Sequence, residues 1–205
     1  EDTFDTWFSS GQWPYVVTDY LDGGELSRFF PTTLMETGVD LLRQWICRMI
    51  MLSVYRTGQV PFKDVYLHGM VNDEKNQKMS KSKGNAIEPM DALKKHGADA
   101  VRWYFYENSA PWLPNRFHGK AVVEGQRKFM GTLWNTYAFF VLYAEIDQFD
   151  ATKYNLEYDK LSVMDKWLLS KLNTVIGAVD DNLGSYKIPE AARALDEFVD
   201  DMSNW

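Results

Sequence analysis

Two lysines three residues apart stand among small hydroxyls in the stretch Lys78-Met79-Ser80-Lys81-Ser82. Side chains of this kind on a mobile segment form a device for gripping phosphates, because lysine is a flexible point charge with three donors. At about 4 Å and an effective dielectric near 20, each ammonium–phosphate contact is worth on the order of 4 kcal/mol before desolvation is subtracted. A grip that tightens as charge develops on a leaving pyrophosphate accelerates nucleotidyl transfer, whereas a uniform grip only binds the nucleotide. Charge alone favours a solvated lysine-rich loop.

The elements that must position this loop lie on either side of it. Upstream, Phe29-Phe30-Pro31-Thr32-Thr33-Leu34-Met35 is short, apolar and β-prone, and reads as a buried strand running into a turn at Glu36-Thr37-Gly38. From Asp40 the apolar positions Leu41, Leu42, Trp45, Ile46, Met49, Ile50 and Leu52 recur at helical steps until Gly58. A second strand over Val65–Val71 then completes a βαβ pattern, which makes the two strands parallel. Asn72 to Asn85 has no periodicity and ends on Gly84-Asn85, so it is a long loop where α/β proteins place their ligands. Beyond Pro89 the pattern is helical at 90–95, 98–107, 119–144, 161–183 and 189–205, with a break at Pro111, Pro114 and Asn115 and a tight turn at Asn182-Leu183-Gly184-Ser185.

Bulk properties bound the rest. With 205 residues, 45% of them hydrophobic and 25% charged, the chain is globular and carries one good core or two modest ones. No apolar run approaches the roughly 20 residues of a membrane span, and the start has no signal-peptide pattern, so a cytoplasmic protein without a membrane partner is expected. The single cysteine, Cys47, falls in an apolar helical stretch and reads as a buried inert thiol, which excludes disulfide and zinc frameworks. A net charge of −7 excludes bulk electrostatic coating of nucleic acid and leaves only local RNA contacts. The eight tryptophans fall mostly at helical spacings and read as packing residues. Both ends look cut: the last residues lie inside a helical pattern with no stop signal.

The pentapeptide at 78–82, following a strand and preceding helices, resembles the signature loop of class I aminoacyl-tRNA synthetases. By that resemblance Lys78 and Lys81 stabilise the transition state of amino-acid adenylation, and Met79, Ser80 and Ser82 add ATP contacts. Asp5-Thr6-Trp7-Phe8-Ser9-Ser10-Gly11 and Pro31–Asp40 resemble the valine enzyme's core, where Trp7 walls the amino-acid pocket and Gly38 and Asp40 hold the adenylate ribose. Trp7 as plain core and Asp40 as a helix N-cap are the competing structural readings. His68, Gly69 and Met70 precede the loop, where backbone groups meet adenine; a structural histidine is the other reading of His68. Gly97–Trp103 resembles the helix packed under the signature loop, and 116–134 with 164–205 resembles the stem-contacting region and anticodon-binding bundle. Arg116, Lys120, Arg127, Lys128 and Asn135 are the candidates for tRNA backbone contact, against a solvated face.

The resemblance implies an α/β part followed by an all-α part: the second half of a Rossmann-like class I catalytic domain over 1–88, connecting helices over 89–118, and the start of an anticodon-binding helical bundle over 119–205. Residues up to about 85 lean to the valine enzyme; those from about 97, with Trp103–Tyr106 and Gly131–Thr136, lean to the isoleucine enzyme. Since the pocket belongs to the first part, valine is the expected amino acid and isoleucine the alternative. The implied substrates are ATP with Mg2+, the amino acid and tRNA, with no protein-bound metal. The family's His-Ile-Gly-His-like tetrad and editing insertion are absent, so the isolated chain is expected to be inert and to bare apolar sheet surface. A non-catalytic tRNA-binding helical module and another nucleotidyltransferase with a similar loop are the competing readings.

Overall fold

The computed structural model describes residues 2–204, which fall into two compact units. The first comprises the chain up to Val71 together with Pro111–Asn115; the second comprises Asn72–Ala110 and the chain from Arg116 onward. Among the described residues no helix is long and apolar enough to cross a membrane.

In the first unit, strand β1 (Thr32–Gly38) and strand β2 (Phe62–His68) pair in parallel, with Thr32 opposite Phe62 and Gly38 opposite His68. The expected turn at Glu36-Thr37-Gly38 is part of β1. Turn-prone residues there are overridden by the register, which gives each of them a partner on β2. The crossover passes through a 3-10 turn (Val39–Leu41), a π turn (Leu42–Ile46) and helix α3 (Cys47–Thr57). It ends at Gly58, whose φ of 74° is the left-handed cap conformation that glycine takes without strain. Met35, Ile46, Met49 and Phe62 form the buried core between sheet and helix, with Trp45, Ile50 and Val65 packed against it. Burial of each such side chain contributes about 1.5–3 kcal/mol.

Cys47 is exposed, not buried. It follows core residue Ile46 by one position, and one helical step of about 100° turns it off the face that Ile46 and Met49 present to the sheet. Two short helices, α1 (Thr6–Gly11) and α2 (Trp13–Val16), precede the sheet and pack on α3. Asp5 caps α1 by accepting from the Trp7 N–H at 3.1 Å. At Gly11 an added Cβ would stand 2.6 Å from Leu52 Cδ1, so glycine lets α1 approach α3. The face of the sheet away from α3 is mixed: Leu34 is exposed beside Glu36, so it is not the bare apolar surface expected.

The second unit is helical: α4 (Pro89–His96), α5 (Ala98–Glu107), α6 (Gly119–Gly125), a π turn (Gln126–Gly131), α7 (Thr132–Ile146), α8 (Val163–Gly184) and α9 (Ile188–Asn204). Its core gathers on α5, where Trp103 stacks on Phe129 at 3.8 Å and Tyr104 meets Phe117 edge-on. Burial pushes the Tyr104 hydroxyl up from its ordinary pKa; that hydroxyl donates to the Arg116 carbonyl. Helices α8 and α9 pack as a hairpin after a capping box in which Ser162 and Asp165 satisfy each other's backbone N–H groups. The tryptophans divide: Trp103 is buried, but Trp13, Trp112 and Trp134 are exposed. The bare apolar surface lies on α7, where Trp134, Tyr137, Phe139, Phe140 and Ile146 are all more than half exposed.

Candidate nucleotide-binding residues and the lysine loop

The carboxyl ends of β1 and β2 bring Gly38, Asp40 and His68 together in the first unit. A Cβ at Gly38 would stand 2.7 Å from Asp40 Oδ1 and 3.7 Å from His68 Cε1. The missing side chain is therefore what lets the Asp40 carboxylate fold back over the strand end. Asp40 itself is exposed and lies inside the 3-10 turn, whose N-cap is Gly38, so the N-cap reading of Asp40 does not hold. An exposed carboxylate held at a strand end can accept hydrogen bonds from a diol. The His68 ring is committed within the unit: Nδ1 faces the Gly69 carbonyl at 2.9 Å and Nε2 faces Glu36 Oε1 at 3.2 Å.

Gly69 is buried beneath the segment Pro111–Asn115. Its N–H donates to the Pro111 carbonyl at 2.7 Å, and Asn115 N–H donates to the Met70 carbonyl at 2.9 Å. The backbone groups of Gly69 and Met70 on that side are thus taken up by protein. Trp7, half-buried on α1, carries the Arg48 guanidinium 4.9 Å over its ring, a cation–π contact that fixes one face of the indole.

The lysine loop belongs to the second unit. Lys78, Lys81 and Ser82 are exposed, with Met79 and Ser80 half-buried. Among the described residues no carboxylate lies within ion-pair distance of the Lys78 or Lys81 ammonium. Ser80 and Ser82 share a hydroxyl–hydroxyl hydrogen bond of 2.8 Å, and Lys81–Lys83 form one 3-10 turn that ends at Gly84 with φ 67°. Two unpaired ammonium groups on a shaped loop are suited to a polyanion.

The loop's shape comes from two residues that sequence reasoning passed over. Asp73 Oδ1 accepts from the Lys75 N–H at 3.0 Å and the Gln77 N–H at 2.7 Å, while Oδ2 accepts from Asn85 Nδ2 at 2.8 Å. Asn85 Oδ1 in turn accepts from the Ser80 N–H at 2.9 Å, and Nδ2 also reaches the Lys78 carbonyl at 3.3 Å. The Asn85 amide foremost, then the Gln77 N–H, hold the Asp73 carboxyl below the usual carboxylate range. The available signal was the pair of Asx residues flanking the lysines, which favour side chain–backbone hydrogen bonds in turns.

Of the five candidates for RNA contact, Arg116, Lys120, Arg127 and Asn135 are exposed on the second unit. Arg127 lines a shallow cleft with Val123, Gln126, Met130, Gly131 and Trp134. Lys128 is committed: its ammonium donates to the Asp196 carboxylate on α9, which is nearly buried, and that hydrogen bond raises the lysine pKa. Among the described residues no group of three or more His, Cys, Asp or Glu converges on a metal-sized site.

Comparison with known proteins accounts for both units. Residues 1–113 match the family model "tRNA synthetases class I (I, L, M and V)", and residues 165–205 match "Anticodon-binding domain of tRNA ligase". The whole chain aligns with the isoleucine–tRNA ligases of Clostridium novyi at 45% identity, Clostridium tetani at 44% and Porphyromonas gingivalis at 41%. It spans only 18–20% of their length. Among solved structures, a LeuRS–tRNA–LeuAMS ternary complex from Agrobacterium radiobacter K84 superposes at TM-score 0.79 with 19% identity, over 99% of this chain and 27% of that one. A Mycobacterium tuberculosis methionyl-tRNA synthetase with methionyl-adenylate superposes at 0.70 with 19% identity, over 89% of this chain and 37% of that one. The fold is that of these enzymes, a catalytic-domain part followed by an anticodon-binding part, and the chain belongs to the class I tRNA synthetases of the I, L, M and V group.

Proposed function

We propose that this chain is part of an isoleucine–tRNA ligase, which activates isoleucine with ATP and passes it to tRNA. The reading is carried by the lysine loop: Lys78 and Lys81 are exposed, free of carboxylate partners and set on a hydrogen-bonded frame. In this reading they hold the phosphates of ATP, whose Mg2+ arrives with the substrate, and they stabilise the charge that builds on pyrophosphate as it leaves. Ser80 and Ser82 contribute hydroxyls and Met79 backbone contacts, while Gly38 and Asp40 receive the ribose. Trp7, backed by Arg48, walls the amino-acid pocket. His68, already held by Glu36, orients the strand end where Gly69 and Met70 follow.

The choice of amino acid moves from valine to isoleucine. Relatives at 41–45% identity along the entire chain are isoleucine enzymes, so the valine-like features of residues 1–85 do not outweigh the alignment. Exposed Arg116, Lys120, Arg127 and Asn135 are proposed as the tRNA backbone contacts; Lys128 serves the fold first, through Asp196. The domain reading that accompanies this proposal is a catalytic part to about residue 88, connecting helices to 118 and a helical tRNA-binding part beyond.

The test is amino-acid-dependent ATP–pyrophosphate exchange by the full-length ligase that contains this chain, with isoleucine and valine in parallel. Exchange that prefers isoleucine and falls about 10–100-fold in kcat/KM on Lys81→Ala, one charged contact of about 1.5–3 kcal/mol, is the expected result. Exchange that prefers valine overturns the choice of amino acid. Salt-sensitive tRNA binding with no exchange on either amino acid shifts the reading to a non-catalytic RNA-binding module.

A further inference from the structure

We propose that Asp73 and Asn85 are positioning residues, a two-residue clasp that holds the lysine loop in the shape its two ammonium groups need. The inference rests on the reading of the loop as the pyrophosphate grip.

Backbone bonds close the first turn of the loop, Asp73 N–H to the Gln77 carbonyl and Asn76 N–H to the Asp73 carbonyl, each at 2.9 Å. The lysine segment has less to hold it: Lys78, Lys81, Ser82 and Lys83 are exposed, with an isolated bridge between Asn72 and Lys78 and one 3-10 turn. Ordering a free residue costs roughly 1–2 kcal/mol in backbone entropy, so an unsupported loop would lose much of its grip to its own ordering. The clasp supplies the missing order from two side chains. One amide, that of Asn85, pins the lysine segment at both the Lys78 carbonyl and the Ser80 N–H, at 3.3 Å and 2.9 Å. Asp73 then fixes that amide's orientation at 2.8 Å and takes two further N–H groups from the preceding turn.

The polarity of this arrangement is specific. Asn85 must present its oxygen to Ser80 and its nitrogen to Asp73, and the shorter, charged acceptor at 73 reinforces the choice that the Ser80 N–H and the more distant Lys78 carbonyl also make. Asp73 is unsuited to direct contact with a nucleotide, because both of its oxygens are already engaged and its charge opposes phosphate. It acts through Asn85, and through Asn85 on Lys78 and Ser80.

The experiment uses the full-length ligase with four variants: Asp73→Asn, Asn85→Asp, both exchanges together, and Lys81→Ala as a check on the loop's role. Two readouts are taken: pyrophosphate exchange with isoleucine, and hydrogen exchange of the Gln77 and Ser80 amides. Asp73→Asn sets a donor against the Asn85 nitrogen, and Asn85→Asp sets a carboxylate against a carboxylate. Each single change is expected to lower kcat about 10–100-fold, the loss of a hydrogen bond to a charged group, with the isoleucine KM unchanged, the Ser80 amide deprotected and the Gln77 amide, still bonded to the oxygen of residue 73, as the internal control. The double exchange restores one donor facing one acceptor, so it recovers most of the rate and of the Ser80 protection, short only of the Lys78 contact.

Single variants with unchanged kcat and unchanged amides, while Lys81→Ala is impaired, overturn the clasp and leave the loop reading standing. A double exchange no better than the singles also overturns it, because the pairing would then not be what matters. A wild-type protein without exchange activity, whose amides nonetheless follow the predicted pattern, overturns the catalytic part along with the loop reading and shows that the fault lies in that reading.

Discussion

Replacing Gly69 by alanine tests the packing beneath which the end of β2 is held. An added Cβ would stand 2.1 Å from the Leu113 carbonyl oxygen, 2.3 Å from its carbon and 2.7 Å from Pro114 N. All three are backbone atoms, so no rotamer change relieves the clash, and the Pro111–Asn115 segment must retreat by about 1 Å or more to regain ordinary contact. That movement strains the Gly69–Pro111 and Asn115–Met70 hydrogen bonds, at 2.7 Å and 2.9 Å. Overpacking costs about 1–3 kcal/mol and each of the two weakened hydrogen bonds about 1 kcal/mol, which gives a destabilisation of about 3–5 kcal/mol. For a chain of this size that corresponds to a fall of about 6–20 °C in the melting temperature. Gly58→Ala is the control: its φ of 74° brings left-handed strain of about 1–2 kcal/mol, but nothing lies within 4 Å of its Cβ. Thermal unfolding followed by circular dichroism should rank wild type above Gly58→Ala and that above Gly69→Ala. A Gly69→Ala protein that melts with the wild type, or above the Gly58 variant, refutes the close approach.

Further outcomes follow from the second unit. Asp73 has a depressed pKa in the folded chain, so its contribution is full above the unfolded carboxylate value of about 3.9 and is lost as pH falls through the folded value. A carboxyl carbon titration by NMR should place its midpoint below 3.9, and a midpoint at or above that value contradicts the clasp geometry. Lys128→Ala strands the nearly buried Asp196 carboxylate and should cost about 1–3 kcal/mol in a denaturant titration, whereas Asp196→Asn keeps an acceptor and should cost less than about 1 kcal/mol. Equal costs would mean that the pair is only a surface contact. Ser162→Ala removes one half of the α8 capping box and should cost about 1 kcal/mol, read the same way.

What the sequence made legible, and what it did not, divides along physical lines. Helix α5 was placed at its observed limits, 98–107, because its apolar spacing is strong and Gly97 and the Asn108-Ser109 pair bound it. The parallel pairing of β1 and β2 followed from the crossover helix alone. Cys47 was misjudged because an apolar neighbourhood along the chain is not an apolar face. The turn expected at Glu36–Gly38 failed for the reverse reason, since cross-strand pairing with Tyr66 to His68 decides the conformation there. Short helices α1 and α2 escaped periodicity because neither is long enough to show one. At the lysine loop, residue types pointed to a phosphate grip, but the frame around it is made of single hydrogen bonds between residues up to 12 apart, which no pattern along the chain reveals.

The wide turn at Gln126–Gly131 has a consequence for how this helix compares with others of its kind. A π turn accommodates an additional residue without breaking the hydrogen-bonded ladder, and one residue is about 100° of rotation. Everything from Thr132 onward is therefore out of phase with Gly119–Gly125, although the axis runs on. A relative of the same length with a regular α-turn at this point would keep the same rod and carry its counterparts of Trp134 and Asn135 on a different side of it. The turn works as a vernier, setting which way the last stretch of the helix looks without moving where it goes.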